Sequence, residues 1–313
     1  MNILSLFDGI SCGQVALKRA GIKYDKYYAS EIDKNAIAIT QYNFPATIQL
    51  GDVRQVNSDA LPEIDLLWGG SPCQDLSIAG KRKGLKGEKS ILFWEFVRLL
   101  KEIKPKYFLF ENVASMSKKN CGIISSVLGV EPIKINSASV SAQNRVRYYW
   151  TNINNGEIAH PGYTGKILQS ILENGYTEKL KSYVLPATYF RQNTSEVGLN
   201  IYFRRGNRQL VFSKPIYFHG GDAGNRGLKK YSIDDKIVYI TPNSSLSPFV
   251  KYARKLTPIE CERLQTLPDD YTKYGRFGNK IKEISKTARY RCLGNGWTVD
   301  VICHILKYIK KED

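Results

Sequence analysis

Residues 2–13 read Asn2-Ile3-Leu4-Ser5-Leu6-Phe7-Asp8-Gly9-Ile10-Ser11-Cys12-Gly13, and the change of texture inside them decides the fold. A short apolar run ends at Phe7 and gives way to a turn with glycines at 9 and 13. Val15, Ala16 and Ala20 then recur at helical spacing up to Gly21. Strand, glycine turn and helix follow one another again further on. A strand is expected at Tyr27–Ser30 with a helix from Asp33, and further strands at Ile64–Trp68 and Tyr107–Phe110. Between the last two, Ser90–Glu102 has Leu92, Phe93, Phe96, Leu99 and Leu100 on one helical face and is stopped by Pro105. Strands separated by helices imply an α/β fold whose sheet is mostly parallel and covered on both faces.

After about residue 160 the pattern changes. Short aromatic and β-branched runs, Leu199–Phe203, Gln209–Phe212 and Lys236–Thr241, are divided by Gly, Asn and Pro. They predict a smaller, irregular, strand-rich second domain. A capped helix is expected within residues 256–267, with Thr257 as cap, Pro258 at its first position and Glu260 at its third.

Composition narrows the function. The chain has 313 residues, 46 Lys+Arg against 29 Asp+Glu and a net charge of +17. Hydrophobic residues make up 42% and charged residues 24%, which fits a globular protein and excludes wholesale disorder. No apolar stretch approaches the length of a membrane span, and the first residues lack the basic start and long apolar run of a secretory signal. A cytoplasmic protein is expected. Six scattered cysteines with no CxxC pair, and three histidines, suggest neither a disulfide framework nor a metal site. The charge is uneven: residues 201–255 carry eleven Lys/Arg against three Asp/Glu, with Tyr and Phe interleaved, and Lys81, Arg82, Lys83, Lys86 and Lys89 form a second cluster. Both point toward nucleic acid.

Several residues stand where chemistry could be done. The glycine turn lets a ligand approach the backbone, and Glu31, ending the second strand, could accept hydrogen bonds from ribose hydroxyls. Asp52 closes a third unit. Cys73, in Gly69-Gly70-Ser71-Pro72-Cys73-Gln74, follows an apolar strand and precedes the first basic cluster, a setting that favours an exposed thiolate. Glu111 follows Leu109-Phe110, where burial would help a carboxyl hold its proton. On a strand, Gln143, Arg145 and Arg147 would share one face, and two guanidiniums and an amide would converge.

Taken in order, these residues resemble the cytosine-5 DNA methyltransferases. The resemblance is carried by Phe7-Asp8-Gly9…Gly13, Glu31, Asp52, Pro72-Cys73-Gln74, Glu111-Asn112-Val113, Gln143…Arg145…Arg147, Arg254-Lys255-Leu256-Thr257-Pro258…Glu260…Arg263-Leu264-Gln265 and Gly294-Asn295-Gly296. Gly-Gly-Ser-Pro-Cys and Gly-Asn-Gly-Trp-Thr-Val are nearer the animal de novo subgroup than the commonest bacterial pattern. Ile32 stands where several members place a tryptophan against adenine.

The resemblance implies a Rossmann-like S-adenosylmethionine-dependent catalytic domain, residues 1–165 and 285–313, around a target-recognition domain, residues 166–284. It implies S-adenosylmethionine as cofactor, S-adenosylhomocysteine as product, and no metal. Phe7, Asp8, Gly9, Ile10, Ser11, Gly13, Glu31, Ile32, Asp52, Val53, Ser71, Asn295 and Trp297 would hold the cofactor. Cys73 would attack carbon 6 of cytosine and Glu111 serve ring nitrogen 3, with Arg145, Arg147 and Gln143 framing the pocket. Gln74, Ser77, Lys81, Arg82, Lys83, Arg204, Arg205 and Arg208 would meet double-stranded DNA around a flipped-out base. The partner is then duplex DNA and no membrane, with a cognate restriction endonuclease acting separately and the enzyme itself a monomer. Two readings stay beside it, an RNA-directed homologue and a DNA-binding regulator with a degenerate site.

Overall fold

The computed structural model describes residues 1–71, 91–205, 209–221, 229–233, 236–240 and 245–309. The first half alternates as its sequence predicts: β1 (Asn2–Leu6), α1 (Cys12–Ala20), β2 (Lys26–Ser30), α2 (Lys34–Asn43), β3 (Ile48–Gln49), β4 (Leu66–Gly69), α3 (Ile91–Ile103), β5 (Tyr107–Val113), α4 (Lys118–Leu128), β6 (Ile133–Asn136) and β7 (Val146–Thr151). These strands form one seven-stranded sheet in the order β3-β2-β1-β4-β5-β7-β6. The first five run parallel, and β7 is wedged antiparallel between β5 and β6.

Side chains alternate across this sheet, and each face has its own core. Ile3, Leu66, Trp68 and Leu109 belong to one cluster, shared with the later helices. Leu4, Leu6, Leu67, Phe108 and Phe110 belong to the other, with Phe93 and Phe96 of α3. That two-sided burial is why the strands read as unbroken apolar runs. Helix α3 ends where expected: Lys104 takes φ 50 and Pro105 cannot continue the ladder.

The second half is irregular. It comprises α5 (Glu196–Asn200), β8 (Val211–Phe212), β9 (Ile216–Gly221), β10 (Lys229–Ile233), β11 (Lys236–Ile240), α6 (Ser247–Val250), β12 (Ala253–Arg254), α7 (Pro258–Leu264), β13 (Tyr274–Phe277), β14 (Lys280–Glu283), α8 (Lys286–Asn295) and α9 (Val299–Leu306). Strands β9, β10 and β11 form an antiparallel sheet, with β8 paired to β12 beside it. Leu199–Phe203 is not a strand. It continues α5 into a wide helical turn over Ile201–Arg205, because Tyr202 and Phe203 are buried against Phe212 and Phe249. Packing overrides the β-propensity of such residues.

This aromatic cluster, drawn from residues 199–249, is a third core. Leu168, Leu185, Leu256, Leu264 and Ile284, from the 166–284 stretch, belong to the same core cluster as Ile3 and Trp68. Helix α7 starts with the expected capping box between Thr257 and Glu260. Glu260, fully buried, is also paired with Arg254 at 2.7 Å, so the helix is fastened to the end of β12.

Candidate active site

Parallel strands deliver their carboxyl ends to the same edge, where Asp8, Glu31, Asp52 and Ser71 follow β1 to β4 and Glu111 stands near the end of β5. After β1 the chain passes through left-handed conformations at Phe7, Gly9 and Ser11 (φ 57, 60 and 53). The curl turns Asp8 inward. Its carboxylate accepts hydrogen bonds from Ser5 Oγ (2.6 Å), from Tyr27 OH (2.7 Å) and, very closely, from Ser11 Oγ. Trp68 Nε1 donates to Tyr27 OH, and Gln14 Nε2 donates to Ser11 Oγ, so both hydroxyls are oriented to give their protons to Asp8. Among the described residues no cation lies within ion-pair distance of it. Burial pushes the Asp8 carboxyl up to about 6, against the pull of the Ser11, Ser5 and Tyr27 hydroxyls.

That shift has a measurable sign. A carboxyl whose folded pKa lies above its ordinary value of 3.8 binds its proton more tightly in the native state. Its stabilising contribution is complete below pH 4 and is lost as the pH rises through 6. Relative to Asp8→Asn, the wild type should therefore lose roughly 2–3 kcal/mol of stability between pH 4 and 7. Urea unfolding of both proteins across that range measures the difference. A constant difference would remove Asp8 as its source.

Glu31, at the end of β2, holds the loop from outside. One carboxylate oxygen accepts from Gly9 N (2.8 Å) and the other from Ile32 N and Asp33 N. Ile32 is 70% exposed. Asp52 caps the short turn Val53–Gln55, where hydrogen bonds from Arg54 hold its carboxyl below the usual range. Val53 is buried under that turn. At Gly13, a Cβ would come within 2.4 Å of the Trp68 ring, so glycine is required for α1 to start against β4. Trp297 packs edge-on against the other side of Trp68, 5.7 Å between ring centroids, and Asn295 is exposed at the end of α8.

Strand β5 runs through Glu111 to Val113, further than the sequence suggests. Asn112 Nδ2 donates to Ser71 O and Ser71 Oγ (3.3 Å each), tying the chain that leaves β4 to β5. Glu111 is buried and paired with Arg147 Nε at 2.8 Å. Of the predicted convergence of Gln143, Arg145 and Arg147, only the first two come together, both on Leu185, while Arg147 lies on β7, which begins at Val146. Arg147 meets Glu111, whereas buried Arg145 donates to the carbonyls of Leu185, Gly294 and Gly296. Gln143 accepts from Leu185 N (2.7 Å) and donates to Leu264 O. The two therefore bracket the sheet edge to the residue 185 and 294–296 segments.

Gln265, quoted above only as the end of the Arg254–Gln265 block, was assigned no role from sequence, yet it completes that bracket by donating to Leu293 O (2.7 Å) and Gly296 O. Neither was the buried pair of Arg289 with Glu262 (2.8 Å), which stiffens the layer behind it. Both are ordinary polar residues in helical stretches, and only their burial distinguishes them. Cys73, Gln74, Ser77, Lys81, Arg82, Lys83 and Arg208 lie outside the described residues, as do the side chains of Arg204 and Arg205. Among the described residues no cluster of three or more His, Cys, Asp or Glu could hold a metal ion, and no helix is long and apolar enough to cross a membrane.

The sequence profile of the C-5 cytosine-specific DNA methylases matches residues 1–311. Over 130 residues the chain is 40% identical to the orphan methyltransferase M.SPRI of Bacillus phage SPR, a stretch covering 41% of this chain and 30% of that enzyme. It thus spans less than a third of that relative. Against the type II methyltransferase M.Bsp6I of Bacillus sp. (strain RFL6) it is 27% identical, over 100% of this chain and 99% of that one. Among solved structures, the Entamoeba histolytica methyltransferase EhMeth superimposes with a TM-score of 0.67 at 16% identity, covering 99% of this chain and 97% of that one. S. pombe Dnmt2 methyltransferase gives 0.62 at 16% identity, covering 99% and 98%. The shared architecture is the S-adenosylmethionine-dependent methyltransferase fold with added small antiparallel sheets.

Proposed function

The chain belongs to the C-5 cytosine-specific DNA methylase family, and from that membership we propose that it transfers a methyl group from S-adenosylmethionine to carbon 5 of a flipped-out cytosine in duplex DNA. The observation that carries the reading is the pairing of buried Glu111 with Arg147 at the carboxyl edge of the sheet, beside the strand end that runs into Ser71-Pro72-Cys73.

The residues present fit the cofactor. Glu31 offers carboxylate oxygens at the end of β2 for ribose hydroxyls, exposed Ile32 gives an apolar surface for adenine, and Asp52 and Val53 border the same edge. Asp8, half-buried and without a cation among the described residues, suits a ligand that is itself cationic. Ser71, Asn295 and Trp297 close the side nearest the base, and Phe7, Gly9, Ile10, Ser11 and Gly13 form the turn beneath. When bound, the cofactor supplies an electrophilic methyl.

The chain's own residues make carbon 5 able to take it. The Cys73 thiolate adds to carbon 6 of the ring, and the electrons displaced from the carbon 5–carbon 6 bond make carbon 5 enamine-like. Glu111, placed by its contact with Arg147, gives a proton to ring nitrogen 3 and so neutralises the negative charge that develops there. After methylation, the carbon 5 proton passes to a base. The electron pair it leaves restores the double bond and expels the Cys73 thiolate. Reaching this carbon requires the base to leave the stack.

The unit built on the 199–249 core, with the basic stretch 201–255, would read the DNA, and Arg204, Arg205 and Arg208 are its candidate readers. The enzyme would act as a cytoplasmic monomer, with any cognate restriction endonuclease working separately. Tritiated methyl transfer to duplex DNA and to tRNA tests the substrate. Label in DNA is expected. Label confined to tRNA would move the substrate to RNA, and label in neither, with the cofactor bound, would leave a DNA-binding regulator.

A further inference from the structure

We infer that Gly70 is a positioning residue for Glu111, an inference resting on the proposed role of that carboxylate. Gly70 follows directly on β4 and precedes Ser71-Pro72-Cys73 in the sequence. A Cβ at this position would lie 2.8 Å from Glu111 Oε2, 3.3 Å from Glu111 O and 3.2 Å from Trp297 Nε1. Gly70 is not among the residues with positive φ, so its backbone is one that alanine adopts without strain. The glycine is there for space, and the space is the seat of the carboxylate.

Its neighbours show how specific this is. A Cβ at Gly69 would strike the Leu6 backbone oxygen at 2.7 Å, pressing β4 against β1. At Gly13 it would meet the rigid Trp68 ring at 2.4 Å. Both collisions are with the scaffold. At Gly70 the closest atom is instead the far end of a flexible side chain, which can yield. A methyl group there would displace the carboxylate by several tenths of an ångström. That would loosen its 2.8 Å contact with Arg147 and shift it against the substrate ring. The fold would be spared and the alignment lost.

Gly70→Ala tests this directly. Its unfolding midpoint and its cofactor affinity by calorimetry should stay within about twofold of wild type in binding terms, while the single-turnover rate falls roughly ten- to a hundredfold. The decisive readout is a double-mutant cycle. In a Glu111→Gln background the same alanine should cost less than about threefold, because a residue acting through Glu111 has little left to disturb. An equal loss in both backgrounds, weakened cofactor binding or an unchanged rate would overturn the inference. If Gly70→Ala alone fails to fold, Gly70→Ala combined with Glu111→Ala vacates the contested space. Recovery of folding then supports the contact, and failure overturns it. A wild-type rate for Glu111→Gln alone would instead overturn the role of Glu111, and this inference with it. A fault confined to Gly70 leaves the Glu111→Gln defect in place.

Discussion

Cys73→Ala is expected to abolish methyl transfer, a loss on the order of ten-thousandfold or more, while the cofactor binds near normally. Carbon 5 of cytosine is too weak a nucleophile to take a methyl unaided, so without addition at carbon 6 the barrier stays close to that of the uncatalysed reaction. The other thiols do not offer a substitute. Burial pushes Cys12 and Cys292 up to about 12 and Cys261 well above the ordinary thiol range, while Cys121 and Cys303 are also raised. None of these five is poised as a thiolate. Duplex DNA carrying 5-fluorocytosine gives the complementary result. A fluorine at carbon 5 cannot leave as a proton does, so the wild type should remain covalently attached through a denaturing gel, and the alanine variant should not. Substantial turnover by Cys73→Ala would end the assignment of this residue as nucleophile.

Glu111→Gln should lower the single-turnover rate by about a hundredfold or more, with little change in the fold. The amide keeps the shape and can still accept from Arg147. It carries no charge, and it cannot deliver a proton to ring nitrogen 3. In the wild type the carboxylate is buried and its guanidinium partner half-buried, 2.8 Å apart, and so they are preorganised before substrate arrives. Rapid-quench measurement with enzyme in excess isolates the chemical step from product release. A rate equal to that of wild type would make the pair a purely structural contact between β5 and β7.

The first half of the fold was legible because its signals are local. Apolar strands buried on both sides, the turn after β1, the amphipathic α3 and the Thr257–Glu260 cap each announce themselves within a dozen residues. What failed were inferences that needed tertiary context. Leu199–Phe203 has the composition of a strand, but its aromatics are satisfied in a helical turn packed on Phe212 and Phe249. Alternation across Gln143, Arg145 and Arg147 predicts one shared face only if the strand is already under way, and it begins at Val146. The partner of Glu111 was equally hidden, since β7 reaches it across the sheet with 35 intervening residues between the two side chains. The Arg289–Glu262 pair gives no sequence signal at all.

The meeting of α1 with α9 bears on how the protein is made. Arg19 reaches Asp300 across 281 positions, and Tyr271 OH donates to Ile10 O across 261. The turn after β1 is therefore buttressed by residues that leave the ribosome long after it. A nascent chain holding only the parallel strands has the loop sequence but neither Trp297 nor the carbonyls that Arg145 grips. Contacts of such long separation are slow to close, and they are the final ones to form. Ligand affinity should thus appear late and abruptly during synthesis, so a chain released before α8 and α9 would be inert rather than partly active.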